Sequence, residues 1–170
     1  MELETLRDLY IDELKDLYSA ENQILKAMPR MIKAATHKDL KKAFATHERQ
    51  TREHVKRLER ICKQLGVVPK GKKCYGMEGL LDEGKDLISE KPEPEVLDAG
   101  LISAAQHVEH YEMAGYGTVR TFARQLGYES QAELLQRTLD EEGDTDKLLT
   151  ELAVTTINID AERGSHAIED

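Results

Sequence analysis

The sequence predicts an all-α protein, a four-helix bundle with one long connection, and three observations lead there. Hydrophobic residues make up 39% and charged residues 34% of the 170, with no Trp and two Phe, which suits amphipathic helices better than a sheet sandwich. Apolar residues recur at helical spacing along four long stretches. Between the second and third of these lies a connection, residues 66 to 94, far longer than the roughly two to eight residues that antiparallel neighbours need. A chain of this length is expected to form a single domain over residues 1–170.

The first helix is expected over about residues 3–35, with Tyr10, Leu14, Leu17, Glu21, Ile24, Met28 and Ala35 on one seam. Pro29 removes a backbone donor inside it and is expected to kink it. Asp39 then offers an N-cap for a second helix over 40–65, which stops at Gly66. Its seam reads Leu40, Phe44, His47, Thr51, His54, Leu58, Ile61 and Leu65, apolar at the ends and polar in the middle. A short crossover helix over 77–89 follows, and lets the second and third long helices run parallel.

The third long helix, 95–126, stops at Gly127, and the fourth runs over 130–162 with Leu135, Leu139, Glu142, Asp146, Leu149 and Ala153 on its seam. Gly143 weakens that helix by about 1 kcal/mol relative to alanine. The tail from Gly164 onward is expected to fray. Four long helices with one long crossover make the ferritin-like arrangement among bundle topologies.

The formal charge of −9 disfavours nucleic acid as a partner and favours small cations where the acids cluster. Cys62 and Cys74 fit no zinc or redox spacing and read as reduced thiols. The N-terminus lacks a cationic region followed by an apolar run, and no stretch approaches the ~18 apolar residues of a membrane span. A cytoplasmic protein without a membrane partner is expected.

The third long helix carries the chemical signal. Its seam is Ile102, Ala105, Glu109, Glu112, Tyr116, Val119, Ala123 and Leu126, so two carboxylates stand where a core should be. Helix rise makes residues equally far from an antiparallel turn level with one another. About a turn between His37 and Lys38, Glu21 and His54 each lie 16.5 residues away. About a turn between Gly127 and Tyr128, Glu109 and Asp146 lie 18.5 residues away and Glu142 lies 14.5. Glu21, His54, Glu109, Glu112, Glu142 and Asp146 are therefore expected in one layer, with Gln50 and His47 about a turn off. His47 reads as a hydrogen-bonded histidine beside that layer, while His37, His107 and His110 read as surface or locally bonded.

Five carboxylates gathered in a core repel by several kcal/mol even at an effective dielectric near 20. Two divalent cations would neutralise them, and oxygen-rich ligands with one imidazole suit iron or manganese. Di-metal bundles take a Glu from each of two helices and Glu-x-x-His from the other two. Here Gln50-x-x-x-His54 and Glu142-x-x-x-Asp146 stand in for the latter at spacing i, i+4. The competing expectation is that the acids pair with histidines or line a wet cavity.

The chain resembles the YciE/YciF family of bacterial ferritin-like proteins. The resemblance rests on Tyr18-Ser-Ala-Glu21-Asn-Gln, His47 to Thr51 followed by His54-Val-x-Arg-Leu-Glu59, and Cys74-x-x-Met77-Glu-Gly-Leu. It continues through Val108-Glu-His-Tyr-Glu112, Gly115-Tyr-Gly-Thr118 and Glu141-Glu142-x-x-Thr145-Asp146. It implies a homodimer linked to bacterial stress, a di-iron centre, and metal positions at Glu21, Glu109, Glu112, Glu142 and Asp146. The chain departs from many relatives at Gln50, where they carry glutamate, and at His54, where they carry glutamine. The expected function is a stress-associated protein whose two iron or manganese ions react with peroxide or oxygen. The alternative is a non-catalytic dimeric bundle acting as a structural or interaction protein.

Overall fold

The computed structural model describes residues 3–164, and among them every regular element is helical. The chain forms α1 (Leu6–Ala34), α2 (Lys38–Leu65), α3 (Tyr75–Ser89), α4 (Pro94–Gln125) and α5 (Glu129–Leu152). α5 then passes through a wider π turn, Ala153–Ile157, into a short α6 (Asn158–Arg163). The fourth helix is thus not a uniform α-helix to residue 162. Its widening coincides with the run Val154-Thr155-Thr156-Ile157, β-branched residues that crowd an α turn. The expected fraying of the tail concerns residues 165–170, outside the described residues.

Local chemistry sets the ends. Thr5 caps α1 through a capping box, its hydroxyl accepting from Asp8 N at 3.2 Å while Asp8 Oδ2 accepts from Thr5 N at 2.9 Å. α1 continues through Pro29 to Ala34. The cap of α2 is His37, not Asp39: His37 Nδ1 accepts from Asp39 N at 3.3 Å, which puts Asp39 in the first turn. The cause lies on α4, where buried Asp98 accepts from Thr36 N and His37 N, both at 2.8 Å, and from Thr36 Oγ1 at 2.6 Å. α2 ends at Gly66 with φ of 72°, the left-handed conformation that glycine adopts without strain.

α1 packs on α2 and α4, and α5 packs on α4 and α2. The Thr36–Asp98 bonds join the end of α1 to the start of α4, and Tyr10 Oη donates to Gln131 Oε1 at 2.9 Å, joining the starts of α1 and α5. α1 is therefore antiparallel to both α2 and α4, and α2 and α4 run parallel across the diagonal. The crossover makes this possible, and α3 lies against α1 and α4. Its start is docked on α1: Cys74 N donates to Ser19 Oγ at 3.0 Å and Gln23 Nε2 donates to the Cys74 carbonyl at 2.9 Å.

The core consists of two apolar clusters. One holds Ile24, Met28, Leu40, Phe44, Leu101 and Leu149; the other holds Tyr10, Leu14, Leu58, Ile61, Val119 and Leu135. Leu65, Leu126 and Leu139 on the expected seams are only partly buried. Cys62 and Cys74 are free, buried thiols in different clusters. Among the described residues, no helix is long and apolar enough to cross a membrane.

Candidate metal centre

Between the two clusters the seams turn polar. α1 contributes Glu21, α2 His47 and His54, α4 Glu109 and Glu112, and α5 Glu142, each at most 4% exposed. Spacings of three on α4 and seven on α2 keep each pair on one helix face, so amphipathic packing carries them inward with their apolar neighbours.

The side chains fall into two groups. His47, Glu109, Glu112 and Glu142 each offer a ligand atom within 4.8 Å of the others, and so do Glu21, His54 and Glu142. Glu142 belongs to both. His54 Nδ1 lies 2.9 Å from Glu142 Oε1 and 3.2 Å from Glu21 Oε1, and His47 Nε2 lies 3.2 Å from Glu109 Oε1. These are ion-pair distances, yet neither nitrogen makes a well-formed hydrogen bond, nor does either oxygen of Glu112 or of Glu142, or one oxygen each of Glu21 and Glu109. An orphaned buried polar atom costs about 1–3 kcal/mol, so the donor set is complementary to something it does not itself contain. The set fits a pair of divalent cations: carboxylate oxygens in excess, one imidazole per group, and lone pairs directed inward.

Outer contacts orient this set. His54 Nε2 donates to Glu141 Oε2 at 2.8 Å, and Arg57 grips Glu141 through two bonds of 2.7 and 2.9 Å. That leaves Nδ1 as the His54 nitrogen facing the interior. Tyr116 Oη donates to Glu21 Oε1 in a short bond, and burial followed by the Glu21 charge pushes the phenol well above its ordinary pKa.

Burial first, then the Glu142 charge, raises the Glu109 and Glu112 carboxyls and favours their neutral forms. Burial also opposes ionisation of Glu142, yet His54 and His47 outweigh it and hold that carboxyl at about 2. Burial would lower His54, but Glu21, Glu141 and Glu142 raise it to about 11.

Of the six residues expected in the layer, Glu21, His54, Glu109, Glu112 and Glu142 meet there. Asp146 sits at the edge, only partly buried, where its Oδ1 accepts from Gln106 Nε2 at 3.1 Å and lies 3.2 Å from His110 Nε2. Gln50 is likewise only partly buried and belongs to neither group. His47, expected beside the layer, is inside it. Sequence reasoning missed Glu141 and Arg57 as the clamp on His54. Their only trace was Glu141 preceding Glu142, with Arg57 three residues after His54.

Residues 5–162 match a family described as a domain of unknown function, DUF892. The chain is 42% identical over 163 residues to protein YciF of Escherichia coli (strain K12), covering 95% of this chain and 98% of YciF. The crystal structure of the E. coli stress protein YciF shares the fold at a TM-score of 0.89 and 41% identity, covering 93% of this chain and 100% of that one. YcfI of Rhodopseudomonas palustris gives a TM-score of 0.85 at 38% identity, covering 88% of this chain and 95% of its own. A protein of Xanthomonas campestris pv. campestris, 18% identical, shares the fold alone, with a TM-score of 0.75 and coverage of 94% and 98%. Matched over most of its length in both sequence and helical arrangement, the chain belongs to the DUF892 family, as a YciF-like, ferritin-like helical bundle.

Proposed function

We propose that this protein is a stress-associated metalloprotein whose bundle core holds two iron or manganese ions and reacts with peroxide or oxygen. The observation that carries the reading is the set of buried nitrogen and oxygen atoms, most without a well-formed hydrogen bond, converging from four helices. His47, Glu109, Glu112 and Glu142 would hold one ion, and Glu21, His54 and Glu142 the other. When bound, such a pair in its reduced state would supply electrons to a small oxidant. Glu141 and Arg57 orient His54, Tyr116 holds Glu21 toward the layer, and the flanking apolar clusters exclude water. The stress association draws on the likeness to YciF, described as a stress protein. The same reading makes the protein a cytoplasmic homodimer, which mass measurement in solution tests.

The deciding experiment is metal analysis of the purified protein with Fe(II) and Mn(II) titrations. Uptake approaching two equivalents, a raised melting temperature and a new absorption that responds to peroxide are expected. Protein that neither contains metal nor changes on titration sinks the reading.

One observation favours a second reading, a non-catalytic dimeric bundle. Charged His54 offsets ionised Glu142, and Glu109 and Glu112 are biased toward neutral, so part of the layer's charge is met without metal. YcfI, moreover, is described as a candidate structural protein. A metal-free dimer whose Glu21→Ala and Glu109→Ala variants behave like the parent would favour it.

A further inference from the structure

Two cavities meet on the α3 side of the bundle. The outer one is a groove of about 320 Å³ between α1, α3 and α4, walled by Met31, Leu80, Leu81, Ala104 and Val108. The inner one is a small chamber of about 20 Å³. All five helices from α1 to α5 contribute to the chamber, through Ile24, Phe44, Leu81, Val108 and Leu149 among others, and its inner end is formed by His47, Glu109 and Thr145. Met31, Leu81 and Val108 line both cavities and so form the wall between them. Of these three, Leu81 is the one that is only partly buried.

The lining limits what the chamber takes. Its walls are hydrocarbon apart from His47, Glu109 and Thr145. An ion passing Met31, Leu81 and Val108 would lose its hydration with nothing in exchange, a cost of several kcal/mol. A small uncharged molecule escapes that cost. Resting on the two-metal reading above, we propose that this chamber binds the centre's reactant, a small uncharged oxidant the size of dioxygen or hydrogen peroxide, and that Leu81 is its gate. The crossover helix thereby gains a role beyond connection. It supplies the residue that separates the chamber from solvent on the side where α1 and α4 meet.

Xenon pressurisation of metal-free crystals tests the chamber without any metal. Xenon density between Phe44, Val108 and Leu149 is expected in the parent, loss of it in Ala105→Leu, which fills the chamber from α4, and higher occupancy in Phe44→Leu. No density in the parent, or equal occupancy in all three proteins, overturns the chamber. The gate is tested on iron-loaded protein with peroxide as the probe. At unchanged iron content, Leu81→Ala is expected to react several-fold faster than the parent and Leu81→Trp several-fold slower, and equal rates overturn the gate. Protein that admits xenon but binds no iron sinks the two-metal reading and the reactant assignment with it. Iron-binding protein that excludes xenon sinks the chamber alone.

Discussion

Glu141 Oε2 lies 2.8 Å from His54 Nε2 and accepts a hydrogen bond from it, while Arg57 donates to both oxygens of the same carboxylate. Partners of this kind fix an imidazole's tautomer and are typically worth 10- to 100-fold in metal affinity. Glu141→Gln, which keeps the shape and removes the charge, is expected to weaken Mn(II) binding by roughly that factor in calorimetric titration. An unchanged affinity would show that Glu141 has no hold on the site.

Glu142 is common to both ligand groups, so its loss should differ in kind from the loss of a residue in one group. After loading and desalting, Glu21→Ala and Glu109→Ala are each expected to forfeit about half of the bound metal, and Glu142→Ala nearly all of it. Elemental analysis reads the three directly. A Glu142→Ala protein that keeps the full complement would refute the sharing.

Stability of the metal-free protein should fall as the solution becomes alkaline. The His54 pKa is raised from 6.5 to about 11, so its contribution is complete below about pH 6.5 and fades as pH climbs toward 11. The raised Glu109 and Glu112 carboxyls act with the same sign, starting from their ordinary value of 4.5. Glu142, depressed to about 2, acts oppositely, its contribution being present above 4.5 and lost as pH drops toward 2. Melting temperature in chelator is therefore expected to peak in mildly acidic buffer and decline through neutral to alkaline pH. His54→Gln should flatten that decline, and an identical slope in the variant would count against the assignment.

Asp98 is 3% exposed and accepts from two backbone amides and a hydroxyl at the α1–α2 turn. Asp98→Ala strands those donors, and a loss of about 3 kcal/mol is expected in urea unfolding. Metal uptake should be unaffected, since Asp98 lies far along α4 from Glu109. A negligible change would mean that water replaces the carboxylate.

Much of this was legible in the sequence, because amphipathic seams have a fixed period and helices a fixed rise. Those two rules alone brought Glu21 level with His54, and Glu109 level with Asp146 and about a turn from Glu142. They failed where rotation about the helix axis matters. Asp146, one turn beyond Glu142, swings toward the outer groove of α4 and α5, where Gln106 and His110 take it. His47 was expected beside the layer and not within it for another reason: levelling compares residues across one turn, while His47 meets Glu109 across the diagonal between two hairpins. The His37 cap depended on Asp98, a partner sixty-one residues away that no local rule reveals.

On the two-metal reading, the polar layer, closed above and below by hydrocarbon, would behave as an ion exchanger. Charge in such a compartment cannot simply accumulate, so each arriving divalent cation must drive protons out. Protons on His54, Glu109 and Glu112 are the ones available. Loading a weakly buffered sample should then acidify it, and acid should strip the metal again. Cation content would follow the acidity of the surroundings, with no moving part required.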